Sequence, residues 1–261
     1  MKMIGMGCDI GTSATKIVIM KDGTVAGYGV TLTKDKPDQA IEKFINKVLS
    51  NTGISLSDIK YCGSTGWGTK FLSLDHSEES LIKCLSKGAH WTVPTARTVI
   101  DAGGLSSTAI SVNEKGKPME YRLNDKCASG SGRFLEMVAE ALELKIEEIG
   151  PLSLSAKERV HMTSQCAVFG ESEVIAHVNA GREVADIVAG VTYSVGLGLS
   201  TLVKRLGVQR DCVMTGGVAK NVAVVKALEE SIGVEVKITY FDSQIVGAIG
   251  AALCAQARLK V

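Results

Sequence analysis

Apolar residues alternate with polar or small ones along the first third of the chain, a pattern that indicates short β-strands joined by tight turns. Strands are predicted over residues 2–10, 15–20, 24–30 and 59–65, with turns at 11–13 and 22–23. Residues 37–51 carry apolar side chains at intervals of three and four, which predicts an amphipathic helix. The opening is therefore an antiparallel meander followed by a helix and a further strand.

The same order of elements begins again near residue 95. A second meander is predicted from strands over residues 98–101, 107–112 and 117–123. The remaining predicted elements are helices over 129–144, 172–180, 184–206, 219–232 and 243–259, and strands over 160–163, 212–215 and 234–239. This repetition predicts an α/β fold of two duplicated lobes, residues 1–94 plus 245–261 and residues 95–244.

Composition narrows the possible functions. The chain has 261 residues, 45% of them apolar, and a net charge of +1, so a folded core is expected and no basic patch for nucleic acid is indicated. Residues 1–20 lack the pattern of an export signal, and apolar stretches such as 245–257 are shorter than a membrane span. We therefore expect a cytoplasmic protein that binds a small molecule, with no nucleic acid or membrane as partner.

Two glycine turns each follow an aspartate at the end of a predicted strand. The first reads Asp9-Ile-Gly-Thr-Ser-Ala-Thr-Lys16, and the second, Asp101-Ala-Gly-Gly-Leu-Ser-Ser107, repeats its carboxylate, glycine and hydroxyl groups. A glycine pair, Gly216-Gly217, lies between a later strand and a helix. Backbone N–H groups in such turns can bind phosphate. The three turns together predict a nucleotide site.

The spacing of these turns resembles the sugar kinase, Hsp70 and actin superfamily over the whole chain. The resemblance implies an actin-like ATPase fold of two ribonuclease-H-like lobes, with ATP in the cleft between them. It implies that Asp9 and Asp101 are the catalytic residues, which hold Mg²⁺ or orient the attacking water. It also implies a set of ATP-binding residues, namely Gly11, Thr12, Ser13, Ala14, Lys16, Gly103, Gly104, Gly216, Gly217, Val218, Asn221 and Gln244.

Two of the seven cysteines occupy positions suited to metal ligation. Cys127 precedes the glycine-rich start of a predicted helix, and Cys166 lies between a predicted strand and another helix. Helix N-termini favour the thiolate form that binds metals. The other five lie in apolar segments and are interpreted as small buried side chains: Cys8, Cys62, Cys84, Cys212 and Cys254.

Two thiolates are fewer than the four that a 4Fe-4S cluster takes. A twofold axis between two chains would bring Cys127 and Cys166 of each chain to one cluster. Tetrahedral zinc would be satisfied by the same four thiolates. The residues alone therefore leave both an iron-sulfur cluster and zinc open.

The segments around these cysteines carry a closer resemblance. Asn124-Asp-Lys-Cys-Ala-Ser-Gly-Ser-Gly-Arg-Phe-Leu135 and Gln165-Cys-Ala-Val-Phe-Gly-Glu-Ser-Glu173 resemble the activators of 2-hydroxyacyl-CoA dehydratases and the ATPase subunits of benzoyl-CoA reductase. The resemblance implies an oxygen-sensitive ATPase that donates one low-potential electron from a 4Fe-4S cluster, held between two subunits by Cys127 and Cys166. It further implies ATP or ADP and Mg²⁺ as cofactors, ferredoxin or flavodoxin as electron source, and an iron-sulfur dehydratase or reductase as partner.

The resemblance departs at Leu105-Ser-Ser107, where dehydratase activators have glutamine and aspartate after the glycine pair. A similar departure occurs in the smaller ATPase subunit of benzoyl-CoA reductases, so a homodimer and a dimer with a related chain both stay open. Two other functions fit the nucleotide turns alone, a small-molecule kinase with Asp101 as general base and a nucleotide-dependent switch. Neither of them needs Cys127 or Cys166.

Overall fold

The computed structural model describes residues 3–33, 37–124, 130–163 and 167–259. The chain forms two compact units. The first unit comprises Met1–Ala96, Val112–Met119 and Thr239–Val261, and the second comprises Arg97–Ser111 and Glu120–Ile238. The lobe boundaries given above stay a prediction.

Ten strands and eight helices make up the described part of the chain. The strands are β1 (Ile4–Ile10), β2 (Ala14–Lys21), β3 (Thr24–Leu32), β4 (Tyr61–Thr65), β5 (Ser77–Glu78), β6 (Thr98–Ala102), β7 (Ser107–Val112), β8 (Pro118–Asn124), β9 (Cys212–Thr215) and β10 (Val236–Ile238). The helices are α1 (Pro37–Ser50), α2 (Leu81–Thr92), α3 (Gly132–Ala141), α4 (Ile146–Leu154), α5 (Ala167–Asn179), α6 (Val184–Leu206), α7 (Val222–Ile232) and α8 (Val246–Arg258).

The first sheet has the strand order β3-β2-β1-β4-β5. Its central strand β1 is antiparallel to β2 and parallel to β4, and every residue of β1 is buried. Met6 and Ile10 belong to the same apolar cluster as Ile41 and Ile45 of α1, and glycines line the opposite face of β1. A Cβ on Gly7 would lie 1.9 Å from the carbonyl oxygen of Ala248, so glycine is required for α8 to pack directly on the strand.

The second sheet has the order β10-β9-β6-β7-β8. Its central strand β6 is antiparallel to β7 and parallel to β9, as β1 is to β2 and β4. An apolar core fills this unit with side chains from β6, β9, α3, α6 and α7. The repeated strand order confirms the predicted α/β fold with duplicated lobes.

Some predicted elements were wrong or incomplete. Residues 160–163 form no strand: Val160 N–H donates to Asp186 O and Thr163 N–H donates to Glu173 Oε1, so their backbone groups bond to helical segments. The apolar side chain of Val160 packs against Gly190 of α6 and not within a sheet.

Helices α2 and α4 and the short strand β5 were not predicted. α4 contains Pro151, which removes one backbone donor and weakens the helical signal in the sequence. Two predicted helices begin later than expected because each is preceded by a 3-10 turn, at Gly217–Lys220 and Ser243–Ile245. Helix α5 instead begins earlier than its predicted start.

Helix α6 is the longest helix in the described chain, with 23 residues, and its most apolar 18-residue stretch has a mean hydropathy of 1.4. By length and composition it could span a membrane, contrary to the expectation that the apolar stretches are too short to do so. Of this 18-residue stretch, 67% is buried inside the protein. Such burial is typical of the core helix of a globular unit.

Candidate functional site

Asp9 lies at the carboxyl end of β1, directly before the first glycine turn. Lys16 is its cross-strand partner on β2, and Lys16 Nζ lies 3.0 Å from Asp9 Oδ2. Asp9 is only 7% exposed. Because a buried carboxylate needs an opposite charge or hydrogen-bond donors, Lys16 fixes the orientation of Asp9 and stabilises its charge.

Two glycines that the sequence analysis did not select enclose the Asp9 carboxylate. Gly66, directly after β4, has φ of 95°, and a Cβ there would lie 2.5 Å from Ile10 O and 3.0 Å from Asp9 Oδ1. A Cβ on Gly247, in the first turn of α8, would lie 3.0 Å from Asp9 Oδ2. The N-terminus of α8 therefore stands beside the carboxylate, where the helix dipole stabilises negative charge.

A sequence signal for Gly66 did exist. Gly66 follows a predicted strand, as the first glycine turn does. Parallel neighbouring strands end at the same edge of a sheet, where ligands bind, so a glycine there is a candidate site residue. Gly247 had no such signal, because the packing of α8 on β1 joins residues far apart in the chain.

The first turn is also held by Thr33, which was not predicted. Gly11 N–H donates to Ala14 O at 3.0 Å and closes the turn. Thr33 donates its N–H to Ser13 O at 3.0 Å and its hydroxyl to Gly11 O at 2.7 Å. The acceptors of these hydrogen bonds are carbonyl oxygens of the turn, and the bonds hold the turn in one conformation. Thr12, at the tip, is exposed.

Asp101 holds the equivalent position in the second unit, at the end of β6. Its cross-strand partner on β7 is Thr108, and the hydroxyl of Thr215 on β9 donates to Asp101 Oδ1 at 2.8 Å. Gly103 N–H donates to Ser106 O at 2.9 Å and closes the second turn in the same way as the first. A neutral hydroxyl from the neighbouring strand therefore orients this carboxylate.

The third glycine turn follows β9 and contacts the end of β6. Gly216 has φ of 87°, and a Cβ there would lie 2.3 Å from Ala102 O. Only glycine fits both this backbone conformation and this close approach. Gly217 and Val218 continue from it into the 3-10 turn that precedes α7.

Asn221 caps helix α7. Its Oδ1 accepts hydrogen bonds from the N–H groups of Ala223 and Val224 at 3.1 and 3.2 Å. Its Nδ2 is buried and has no hydrogen-bond partner within the described part of the chain. A buried donor without a protein partner costs free energy, so a ligand acceptor at this position would be stabilising.

Comparison with known proteins identifies the family. Residues 6–255 match the BadF/BadG/BcrA/BcrD ATPase family. The chain belongs to this family. The 2-hydroxyisocaproyl-CoA dehydratase activator of Clostridioides difficile is 38% identical over 253 residues, which cover 97% of this chain and 95% of the activator. A benzoyl-CoA reductase subunit of Thauera aromatica is 35% identical over 260 residues, which cover 96% of this chain and 92% of that protein.

A solved structure agrees. The activator of the 2-hydroxyisocaproyl-CoA dehydratase from Clostridium difficile with bound ADPNP is 36% identical, with a TM-score of 0.93 over 99% of this chain and 98% of that one. The expected family and the actin-like ATPase fold are therefore confirmed. The roles of individual residues stay predictions for this member of the ATPase family.

Gln244 was predicted to bind ATP and belongs to the first unit. It lies in the 3-10 turn that leads into α8, and its N–H donates to Asp242 Oδ1 at 3.0 Å. The same helix start carries Gly247, beside Asp9. The second unit carries four others of the predicted ATP-binding residues, Gly216, Gly217, Val218 and Asn221.

Cys127 and Cys166, the cluster ligands that the family resemblance implies, lie outside the described residues. The helices that follow them, α3 and α5, are described and pack together, since a Cβ on Gly170 would lie 2.8 Å from Cζ of Phe134. This contact joins the first turns of the two helices. Elsewhere in the described ranges, no group of three or more His, Cys, Asp or Glu side chains is arranged to hold a metal ion.

The other five cysteines are buried and free, as predicted. Burial raises the pKa of the Cys212 thiol to about 12, and a hydrogen bond with Cys62, together with burial, holds the pKa of Cys8 well above its usual range. A hydrogen bond between Cys84 and Cys254 raises the pKa of the first thiol and lowers that of the second to about 7. Cys8 and Cys212 are therefore neutral packing residues and not thiolate ligands.

Proposed function

We propose that this chain is an ATP-dependent donor of single low-potential electrons, which reduces a partner iron-sulfur dehydratase or reductase from a 4Fe-4S cluster shared by two subunits. The observation that carries the proposal is the pair of closed glycine turns, one in each unit, each preceded by an aspartate that ends a central strand. The 38% identity to a dehydratase activator supports the same function.

Asp9 and Asp101 are the proposed catalytic carboxylates. Asp9 is fixed by Lys16 and by the start of α8, and Asp101 is fixed by Thr215. Carboxylate oxygens are the ligands that Mg²⁺ prefers, and each aspartate would hold the ion's waters or orient the attacking water. Bound Mg²⁺ supplies positive charge that neutralises the phosphates.

The turns themselves are proposed to bind the nucleotide. Gly11, Thr12, Ser13, Ala14 and Lys16 in the first unit, with Gly103 and Gly104 in the second, would surround the phosphates. The N–H groups of Gly11 and Gly103 close the two turns, so other N–H groups of the turns and the lysine ammonium would bind the phosphates. Gly216, Gly217, Val218, Asn221 and Gln244 would take the ribose and base. The buried Nδ2 of Asn221, which lacks a described partner, supports a polar ligand there.

Cys127 and Cys166 are the proposed cluster ligands. The fit rests on donor chemistry and on the helix contact: both cysteines precede helix starts, and the first turns of those helices meet at Phe134 and Gly170. Helix starts stabilise the negative charge that a thiolate-ligated cluster carries. The cluster, when bound, supplies one electron at low potential.

A second chain would complete the cluster site. Helix α5, which begins directly after Cys166, exposes Ile175 and Val178, three positions apart on one face, at 47% and 44%. Exposed apolar side chains grouped on one helix are typical of an interaction surface. We propose that a second copy, or a related chain, covers this surface.

The other partners follow from the electron-transfer proposal. Ferredoxin or flavodoxin would reduce the cluster, and an iron-sulfur dehydratase or reductase would accept the electron. The names of the relatives support this class of acceptor, since they include a dehydratase activator and a benzoyl-CoA reductase subunit. All of these partners are compatible with a cytoplasmic protein.

An anaerobic visible spectrum with iron and sulfide analysis tests the proposal. We expect broad visible absorption and roughly four irons per two chains, the content of one 4Fe-4S cluster. Cys127→Ala and Cys166→Ala should each remove the absorption and the iron. Cys62→Ala is the matched control, because Cys62 is a buried thiol of the first sheet and should leave the cluster intact. Iron-free, colourless protein that still hydrolyses ATP would overturn the electron-transfer proposal.

A further inference from the structure

The start of helix α3 is attached to the second glycine turn by three hydrogen bonds. Gly132 N–H donates to Gly103 O at 2.9 Å, and Arg133 N–H donates to Gly104 O at 2.8 Å. The hydroxyl of Ser107, the first residue of β7, donates to Gly130 O at 2.6 Å. All three bonds lie within the second unit.

The bonds to Gly103 O and Gly104 O act as the N-terminal cap of α3. The first N–H groups of any helix lack partners inside the helix, and a side chain at the N-cap position often satisfies them. Ser131 occupies that position, but its side chain does not cap α3 within the described part of the chain. The carbonyl groups of the glycine turn do so instead, which makes the position of α3 depend on the conformation of the turn.

Close packing strengthens this dependence. A Cβ on Gly132 would lie 3.3 Å from Gly103 O and 3.5 Å from both Gly104 Cα and Val218 Cγ2. The first residue of α3 therefore lies between the second and third glycine turns, where a methyl group would be tightly packed against Gly103 O.

Peptide geometry links the two sides of the turn. The carbonyl of Gly103 and the N–H of Gly104 belong to one planar trans unit and point in opposite directions, and the same holds for the carbonyl of Gly104 and the next N–H. A phosphate that binds these N–H groups therefore acts on the same peptide planes whose carbonyls cap α3. Residues 130–133 follow the proposed cluster ligand Cys127 closely in the chain.

We propose that the carbonyls of Gly103 and Gly104, with Ser107 as positioning residue, couple phosphate binding at the second turn to the position of the α3 start. Ser107 is 2% exposed, and its hydroxyl anchors Gly130, the residue that leads into this cap. This inference rests on the proposed function, because it requires nucleotide phosphate at Gly103 and Gly104.

Hydrogen–deuterium exchange of the full-length, anaerobically purified protein tests the coupling, with and without Mg²⁺ and a non-hydrolysable ATP analogue. In the wild type, the analogue should change exchange in residues 103–107, 216–221 and 130–134. In Ser107→Ala the first two segments should still respond. The response of 130–134 should be lost, and without nucleotide this segment should exchange roughly 5- to 30-fold faster, as expected for loss of one buried hydrogen bond.

Three further variants serve as a rescue, a matched control and a second way to disrupt the cap. Ser107→Thr retains a hydroxyl and should restore the response of residues 130–134. Ser153→Ala is the matched control, because it removes another buried hydroxyl of the same unit, which bonds to Thr192 at 2.6 Å, and should respond like the wild type. Gly132→Ala crowds the cap without altering Ser107, and should also uncouple 130–134 if Ser107→Ala fails to fold.

The outcomes separate the coupling from the proposed function. A wild-type response of residues 130–134 in both Ser107→Ala and Gly132→Ala would overturn the coupling while leaving the nucleotide site in place. So would protection of 103–107 that never extends to 130–134 in the wild type. Absence of any response at 103–107 and 216–221 would overturn the proposed nucleotide site, and the coupling with it.

Discussion

The two glycine turns share one topology but hold their aspartates by different means. In the first, Asp9 faces Lys16 across the hairpin at 3.0 Å, and in the second the matching cross-strand position is Thr108. Asp101 instead accepts a hydrogen bond from Thr215 on the parallel neighbour. A duplicated fold has thus kept the place of the carboxylate, which pairs with a lysine in the first unit and accepts a hydrogen bond from a threonine hydroxyl in the second.

The turns also differ in what they support. The first is bonded to Thr33, which follows the edge strand of its own meander. The second is bonded to the start of α3, close in sequence to Cys127. If both turns bind phosphate as proposed, the first turn is a fixed anchor, whereas the second is placed to transmit a change.

Removing the two carboxylate charges is expected to give the largest effects. Asp9→Asn and Asp101→Asn should each reduce ATP hydrolysis by roughly 10²–10³-fold, the range for loss of one preorganised electrostatic group. Asp9→Asn should also lower the free energy of unfolding by roughly 3 kcal/mol, because it breaks a largely buried ion pair with Lys16. Asp101→Asn keeps an oxygen for the Thr215 hydroxyl and should cost less. Steady-state hydrolysis and urea unfolding measure both quantities.

A control and a contradicting result are available for this pair. Asp211→Asn removes another ion pair, with Lys237 at 2.6 Å, that belongs to neither turn, and should leave hydrolysis unchanged. Equal losses of stability in the Asp9 and Asp101 variants would show that the ion pair and the neutral donor are equivalent supports.

The enclosure of Asp9 predicts a large loss of stability from a single methyl group. Gly66→Ala should lower the free energy of unfolding by roughly 3 kcal/mol, because it combines a φ of 95° with a Cβ 2.5 Å from Ile10 O. Gly53→Ala is the matched control, since Gly53 also has positive φ but a Cβ there would meet nothing within 4 Å. Its cost should be about 1 kcal/mol. If urea unfolding gives the two variants the same stability, the crowding around Asp9 is not a constraint.

Much of this arrangement could be predicted from the sequence because it is local. A tight turn fixes the register of its hairpin, so the strands that place Asp9 opposite Lys16 follow from ten consecutive residues or fewer. The repetition of that pattern at Asp101 led to the prediction of a duplicated fold. Family resemblance supplied the cluster ligands, and Cys127 and Cys166 lie outside the described residues, so that assignment stays a prediction.

The rest depends on contacts that no local pattern reveals. Gly247 reaches Asp9 only because glycines in β1 admit α8, and Thr33 reaches Gly11 only through the fold of the meander. The strand predicted at 160–163 was wrong for a related reason. Val160 is apolar because it packs on α6. A short apolar segment that packs against a helix has the same hydrophobic pattern as a buried strand.

The support of Asp101 by a neutral hydroxyl predicts the smallest effect and the most specific one. Thr215→Val keeps the shape of a fully buried side chain and removes the donor to Asp101, so hydrolysis should fall about tenfold and stability by about 1 kcal/mol. Thr98→Val is the matched control, because the equally buried hydroxyl of Thr98 bonds to the backbone of Gln209.

Both valine variants should lose similar stability, but only Thr215→Val should slow hydrolysis. The comparison uses initial rates at saturating ATP together with urea unfolding. If both variants lose the same rate, the cause is a general destabilisation of the second sheet. The hydrogen bond from Thr215 to Asp101 would then have no specific role in hydrolysis. A rate loss confined to Thr215→Val would mean that the second carboxylate depends on a hydrogen bond, where the first depends on an ion pair.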